Sequence, residues 1–426
     1  MFVFGSFKRL PTGGISNTLI SGCVSRYNTK VNEIFFNRKR ELVKFTNAFS
    51  ATPELHVILG PPSTGKTALV REITSKGNFK PLFIDCRIGQ FDTPTTVYNS
   101  ISMQFKSFFD ERKTFLKKTL PETEIRAKLP YFFNLKFKLF DEKKEEITSN
   151  TVSELLGKIA NALPNWSFWK GYDVSPPILI IDEANLLSQL GDNSKEGQFF
   201  LNHFLTGLWR IRNKKSVFTL NVKAYNSLIR IYCLVLRSPH VTPYVVGDLS
   251  REEAEKYFEK HILPRYECKE LEGKFDRIRR ITGTRMLIID RYVKEYKNCE
   301  GKLEDIRFSV YESEYHSLKR GLYPDKLRYL DKPTPPFWKG RDLIVTMDAI
   351  VKAEDQGYIL EDDLIEMIGS DQVDSLVDYN FLHRRPTSRF ANDIIDPPNK
   401  IILTATNQPS LRAMEQVLSE VTQRKK

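Results

Sequence analysis

The stretch Leu55-His56-Val57-Ile58-Leu59, followed by Gly60-Pro61-Pro62-Ser63-Thr64-Gly65-Lys66-Thr67, decides how this chain reads. A short apolar run ends at a glycine, and the pattern G-x-x-x-x-G-K-[ST] then spans Gly60 to Thr67. A helical run through Ala68, Leu69, Val70 and Ile73 follows. Strand, glycine loop and helix in that order are the context in which this motif cradles phosphate. Gly60 and Gly65 allow close backbone approach and unusual dihedrals, so amide N–H groups can converge on phosphate oxygens. The helix N-terminus adds its partial positive charge. The candidate nucleotide-binding segment is therefore Gly60, Pro61, Pro62, Ser63, Thr64, Gly65, Lys66, Thr67 and Ala68. Pro61 and Pro62 carry no N–H, so the donors must come from the later loop residues. Lys66 is suited to hold β- and γ-phosphates as a point charge, and the Thr67 hydroxyl to ligate Mg²⁺.

Downstream, Ile178-Leu179-Ile180-Ile181-Asp182-Glu183 is a buried strand that delivers two carboxylates at its C-terminal tip. Ligands of open α/β sheets sit at that edge. Asp182 is the candidate metal ligand, and Glu183 the candidate general base for an attacking water. Many strands end in acids; this pair gains meaning from following the glycine loop on a strand suited to the same sheet edge. Glu183 beside the metal aspartate favours water as acceptor. No residues specify the acceptor pocket and arginine-lined lid of a small-molecule kinase.

Other elements fit around these two. A helical pattern starts near Asn37 and runs through Glu41, Leu42, Phe45 and Phe49. Further strands read Pro81–Cys86, Val217–Leu220 and Val241–Val246, with Pro243 weakening the start of the last. Strands alternating with helices predict an α/β fold, a parallel sheet with helices on both faces. The connection between the second and third strands is oversized, from about Ser100 to Leu163. Its centre mixes Lys and Glu with Phe132, Phe133, Phe137 and Phe140, which suggests a helical insertion at about 104–163. Ser250-Arg251-Glu252-Glu253 has capping-box spacing at a helix start. The polar stretch 299–340, ending in Pro333, Pro335 and Pro336, suggests a linker. Residues 341–426 read helix, helix, helix, strand, wing, strand, helix.

Composition bounds the class. The chain has 426 residues, 41% hydrophobic and 28% charged, enough for two to three domains with real cores. No apolar run approaches the roughly 18–20 residues that span a bilayer. Five scattered cysteines without a C-x-x-C pair argue against a disulfide framework or a zinc ribbon. The net charge of +12 comes with both signs interleaved, a solubility pattern more than a polyanion footprint. Residues 1–34 are the exception. Lys8, Arg9, Arg26 and Lys30 stand there without an acid before Val31. An unstructured cationic tail fits better than a mitochondrial presequence, because Pro11, Gly13 and Gly14 would break an amphipathic helix. An intracellular location is expected, the cytoplasm ahead of the mitochondrion.

With these residues in hand, the chain resembles the additional-strand, catalytic-glutamate division of P-loop NTPases, which covers the AAA+ and STAND groups. More narrowly it resembles the archaeal-type ATPase family of that division. The resemblance rests on Phe36-Asn37-Arg38 with Glu41-Leu42, GPPSTGKT, Pro81–Arg87, ILIIDEAN (Ile178–Asn185), Gly247-Asp248-Leu249-Ser250 and Thr282-Gly283-Thr284-Arg285. It implies a five-stranded P-loop core over 35–249 with a strand inserted between the glycine-loop strand and the acidic strand, a helical lid over 250–298, and a winged-helix-like domain over 341–426. It also implies ATP and Mg²⁺, with hydrolysis driving a conformational switch. A sensor at the tip of the fourth strand falls on Thr219 or Asn221. Arg285 is the second-sensor candidate, with a core-capping arginine as the competing account; relatives often carry Gly-Gly-x-Pro there. Arg38 is read either as approaching the base or as a helix-start salt bridge. Arg210, Arg212 and Arg237 are the arginines that could act in trans.

Origin-recognition ATPases share this implied architecture and bind DNA through the winged helix. Here the recognition helix would be Asp371–Tyr379, with Asp371, Asp374 and Asp378 and no basic residue, which opposes a phosphate backbone. The wing offers His383, Arg384, Arg385 and Arg389 against Asp393 and Asp396. A protein partner or self-association is therefore expected ahead of DNA. The reading is an ATP hydrolase whose nucleotide state sets lid and winged helix. The alternative is a scaffold or signalling module that holds ATP and barely hydrolyses it.

Overall fold

The computed structural model describes residues 36, 38–51, 55–77, 79–89, 91–119, 121, 123, 147–172, 175–184, 187, 195–212, 217–221, 241–327, 335–386, 393–394 and 396–423. The chain divides into a unit Met1–Phe36 and a unit Asn37–Lys426, and the elements below belong to the second. Five strands, β1 (Leu55–Leu59), β2 (Lys80–Asp85), β3 (Pro177–Asp182), β4 (Val217–Asn221) and β5 (Val241–Val245), pair in the order β2-β3-β4-β1-β5. Every pairing is parallel. All residues of β1 and β3 are buried, as parallel strands covered on both faces must be.

Side-chain alternation explains the two layers. Leu55, Val57, Leu59, Leu82, Ile84, Leu179 and Ile181 join one apolar cluster with three helices. These are α3 (Pro94–Thr119), α4 (Ser149–Ala162) and α6 (Lys195–Arg212). The other face meets α1 (Lys39–Ser50), where Phe49 stacks 5.2 Å from His56 and Phe45 lies 4.6 Å from Tyr244. Leu69, Val70 and Ile73 of α2 (Lys66–Lys76) are also buried. A short α5 (Trp166–Gly171) precedes β3. Pro243 sits in β5, an edge strand paired with β1 alone, and an edge is where a missing N–H is tolerated.

The oversized connection differs from the expected insertion. Its first part is a sheet-covering helix, because α3 starts at Pro94 and buries Val97, Ile101, Phe105 and Phe108 at helical spacing. The charged run that follows, Asp110 to Lys118, made the whole connection look like an excursion. Phe132, Phe133, Phe137 and Phe140 lie outside the described residues, as do the segment Met1–Lys30, Arg237 and Arg389.

After the sheet, α7 (Arg251–Tyr257) starts at a formed capping box. Ser250 Oγ accepts from Glu253 N, and Glu253 Oε2 accepts from Ser250 N. α8 (Phe275–Thr282) and α9 (Met286–Asn298) follow. The stretch expected as a linker instead holds a 13-residue helix, α10 (Ser309–Gly321), packed along the C-terminal helix. Its buried apolar contacts are few, Tyr311 and Leu318, too sparse a stripe to stand out among charges. α11 (Gly340–Lys352), β6 (Ile359–Leu360), α12 (Glu361–Ile368), α13 (Ser370–Asp378), β7 (His383–Arg385), β8 (Ile402–Thr404) and α14 (Gln408–Gln423) complete the chain. Their antiparallel strands pair in the order β6-β8-β7. No helix among the described residues is long and apolar enough to cross a membrane.

Candidate functional site

Strand order brings the sequence candidates to one edge. β4 lies between β1 and β3, so the chain leaves β1 at Gly60 and β3 at Asp182 roughly 10 Å apart. The first turn of α2 closes that gap. Thr67 Oγ1 donates to the Asp182 carboxylate, 3.0 Å from each oxygen. Lys66 is nearly buried, and its Nζ donates to the carbonyls of Gly60 and Pro61, 2.8 Å each. Thr64 Oγ1 donates to Pro61 O at 3.1 Å and tightens the turn.

Two backbone features fix the loop. Gly60 has φ +147°, and a Cβ there would stand 2.2 Å from the carbonyl oxygen of Val246. Only glycine lets the loop pass that close to the end of β5. Ser63 and Glu183 both take positive φ, 65° and 55°, which costs a side chain about 1 kcal/mol or more. At Glu183 this conformation turns the chain immediately after Asp182, and Glu183 N donates to Asp182 Oδ1 at 3.2 Å.

Thr67 and Asp182 present hard oxygen donors, the set that Mg²⁺ takes together with substrate phosphates and waters. Among the described residues no group of three or more His, Cys, Asp or Glu could hold a metal. An ion here would thus rely on one carboxylate, one hydroxyl and the nucleotide itself.

Asn221, at the C-terminal tip of β4, pairs with Ile58 of β1, so the backbone places it between the glycine loop and the acidic pair. Thr219 pairs with His56 and Ile180, further from that edge. Arg38 is buried and donates to Thr64 O at 2.8 Å, to Gly247 O at 2.9 Å and to Glu41 at 3.2 Å. The helix-start salt bridge is present, and the same guanidinium ties α1 to the phosphate loop and to the end of β5. Arg285 is buried in a bidentate pair with Asp248, 2.7 and 3.1 Å, and donates to Thr406 O at 2.8 Å. These are the contacts of a core-capping arginine. Its neighbour Met286 has its methyl 4.0 Å from where a Gly65 side chain would begin. Arg210 and Arg212 lie on α6.

Three contributions were not legible from spacing. Arg87, just past β2, is bidentate to Asp85 at 2.9 and 2.6 Å and reaches Asp182 at 3.4 Å and Glu183 at 3.7 Å. Burial pushes the Asp85 carboxyl up, but the Arg87 hydrogen bonds outweigh it and hold it below its ordinary value. Burial, then the charges of Asp85, Asp182 and Glu183, push the neighbouring Cys86 thiol up to about 12. The second contribution is Asp393. It accepts from Asp248 N at 3.1 Å and pairs with Arg385 at 3.0 and 2.8 Å. Gly247 permits this approach, since a Cβ there would lie 2.1 Å from Asp393 Oδ1. The third is His383, whose Nδ1 accepts from Arg385 Nε at 3.3 Å. Burial, then the charges of Arg385, Lys66 and Arg285, hold its imidazole well below its ordinary value.

The cations of β7, weighed above as possible phosphate contacts, are used internally. His383, Arg384 and Arg385 are all buried, and Arg384 pairs with Glu361 and, at 2.5 Å, with Asp374. Desolvation favoured pairing each guanidinium with a carboxylate of its own fold.

No protein-family model matches the chain. No curated protein matches its sequence. Among solved structures, the chain is similar to the ADP form of the Aeropyrum pernix ORC2 protein, with 11% identity and a TM-score of 0.39 over 91% of this chain and 92% of that one. It is similar to the A. pernix ORC1 protein in complex with DNA, with 14% identity and a TM-score of 0.38 over 92% and 94%. A third is a signal transduction ATPase with numerous domains and a tetratricopeptide repeat sensor from Pyrococcus horikoshii. It shows 14% identity and a TM-score of 0.32, over 91% of this chain and 43% of that one.

Proposed function

We propose that the chain is a magnesium-dependent ATPase of the AAA+/STAND type of P-loop NTPase, hydrolysing ATP to ADP and phosphate. The observation that carries this reading is the hydrogen bond from Thr67 to both oxygens of Asp182, which joins the glycine loop to the acidic tip of β3. In this reading Gly60–Thr67 is the Walker A loop and Ile178–Glu183 the Walker B strand. Mg²⁺, when bound by Thr67 and Asp182, would neutralise charge on the phosphate oxygens. Lys66 turns from the loop carbonyls to the β- and γ-phosphates, and backbone N–H groups from Ser63 onward orient them. Glu183 accepts a proton from the attacking water, and Asn221 orients that water from the strand between.

The C-terminal segment 341–426 is read as a winged helix. Its Asp393, held by Arg385, accepts from Asp248 N, next to Gly247, whose carbonyl Arg38 ties to the loop. That proximity supports a switch in which nucleotide state sets the seating of lid and winged helix, with a protein partner or a second copy as the recipient. Arg87 favours a second reading, a nucleotide-holding module with little turnover, because it lies within 3.7 Å of Glu183 and competes for the base. One experiment separates the two. Steady phosphate release is measured for the parent and for Glu183→Gln, alongside fluorescent-nucleotide binding. Turnover abolished with binding retained supports the ATPase; a parent that binds without turnover leaves the holding module.

A further inference from the structure

The end of α10 opens onto a groove of about 520 Å³ lined by His316, Lys319, Arg320, Tyr323 and Lys326. Four of these five are basic residue types, and no carboxylate is among them. Lys319 has its charge met by Glu420 at 2.5 Å. Arg320 donates through Nε to the His316 carbonyl at 3.4 Å and has no carboxylate partner among the described residues. Lys326 stands 4.8 Å from the centre of the Tyr323 ring and likewise has no carboxylate partner among them. The helix dipole accounts for Lys319 and Arg320 in the last turn of α10, but not for Lys326, which lies beyond that helix and faces the same groove.

The backbone around the end of α10 is closely packed. Buried Trp338 donates its Nε1–H to Gly321 O at 2.9 Å. Gly340 passes so close to Leu322 that a Cβ would lie 2.3 Å from its carbonyl oxygen. Tyr323 N bonds to Arg320 O and Lys326 N to Tyr323 O, 2.9 Å each. These bonds set the backbone that carries Arg320, Tyr323 and Lys326 along one turn, with 52% of Tyr323 exposed.

We infer that this groove binds single-stranded nucleic acid, with backbone phosphates on Arg320 and Lys326 and an unpaired base on Tyr323. A lone small anion gains little in an open, water-filled groove, because solvent screens each charge. A polyanion gains by releasing its condensed counterions. An exposed ring among cations is the arrangement on which unpaired bases stack, and duplex bases offer no free face. None of these residues belongs to the phosphate loop, so the site stands or falls independently of ATP hydrolysis.

The test is fluorescence anisotropy of the full chain with a labelled oligothymidylate of about twenty nucleotides, at several salt concentrations. The parent is expected to bind with affinity falling as salt rises. Arg320→Ala and Lys326→Ala should each lower the slope of log K against log salt by about 0.7. Tyr323→Ala should weaken binding by roughly tenfold with the slope unchanged, and Tyr323→Phe should restore it. Thermal melting of each variant confirms that it folds. Absence of binding at low salt, or undiminished binding by Arg320→Glu/Lys326→Glu, overturns the site. Equal affinity for a duplex lost through the same residues overturns its preference for single strands. Competition by thymidine monophosphate at micromolar concentration overturns the polymer as its ligand.

Discussion

Lys66 shows how much of the site is decided by one side chain. Its ammonium is nearly buried and bonded to two carbonyls of the loop, so it is already desolvated, and in the proposed ATPase it exchanges those carbonyls for phosphate. Lys66→Ala removes a charged donor worth about 1.5–3 kcal/mol, so nucleotide affinity should fall by roughly ten- to a hundredfold in a fluorescent-nucleotide titration. Gly60 is equally constrained, by backbone rather than charge. Gly60→Ala drives a Cβ to 2.2 Å from Val246 O at a φ that L residues avoid, and should cost about 3 kcal/mol or more in chemical denaturation. Both residues are legible in the sequence because the motif fixes their types. Arg87 is not, since a single arginine after a strand carries no spacing signal until β2 is set beside β3.

At the scale of elements, local chemistry and packing part company. The α7 capping box can be read from four letters, because its partners lie within one turn. Ser250→Ala should cost about 1 kcal/mol, seen as a shift in the denaturation midpoint. The α10–α14 contact could not be read that way. There Lys319 and Tyr315 hydrogen bonds pull the Glu420 carboxyl down to about 2. A depressed carboxylate stabilises the fold above its unfolded value, and that contribution is lost as pH falls through the folded one. Stability should therefore decline between its ordinary range and about pH 2, and Glu420→Gln should flatten that part of the curve. The pair is partly exposed, so solvent screening keeps the effect below about 1 kcal/mol.

Over the whole molecule, the buried Arg385–Asp393 pair joins the C-terminal strands to the end of β5, far apart in sequence. Asp393→Ala leaves Arg385 buried without its counter-charge and should destabilise the chain by about 3–5 kcal/mol. The double variant Asp393→Ala/Arg385→Met should recover part of that loss in the same denaturation assay, because the orphaned charge is gone. Nucleotide should act in the opposite direction: Mg²⁺–ATP at a hundred times its Kd should stabilise the parent by about 2.7 kcal/mol, and at the same concentration Lys66→Ala should reduce this to about 0.4–1.4 kcal/mol.

The sequence by itself determined the glycine loop, the acidic strand tip, the alternation of strands with helices and the acidic face of α13. These are written in residue type and in spacings of a few positions. The folded structure was needed to show that α3 is core from Pro94 and that α10 occupies a supposed linker. It also decided that the cations of β7 turn inward and that Arg87 meets the acidic pair. Each of those depends on contacts between distant parts of the chain, where burial and charge pairing choose the partner and no local pattern names it.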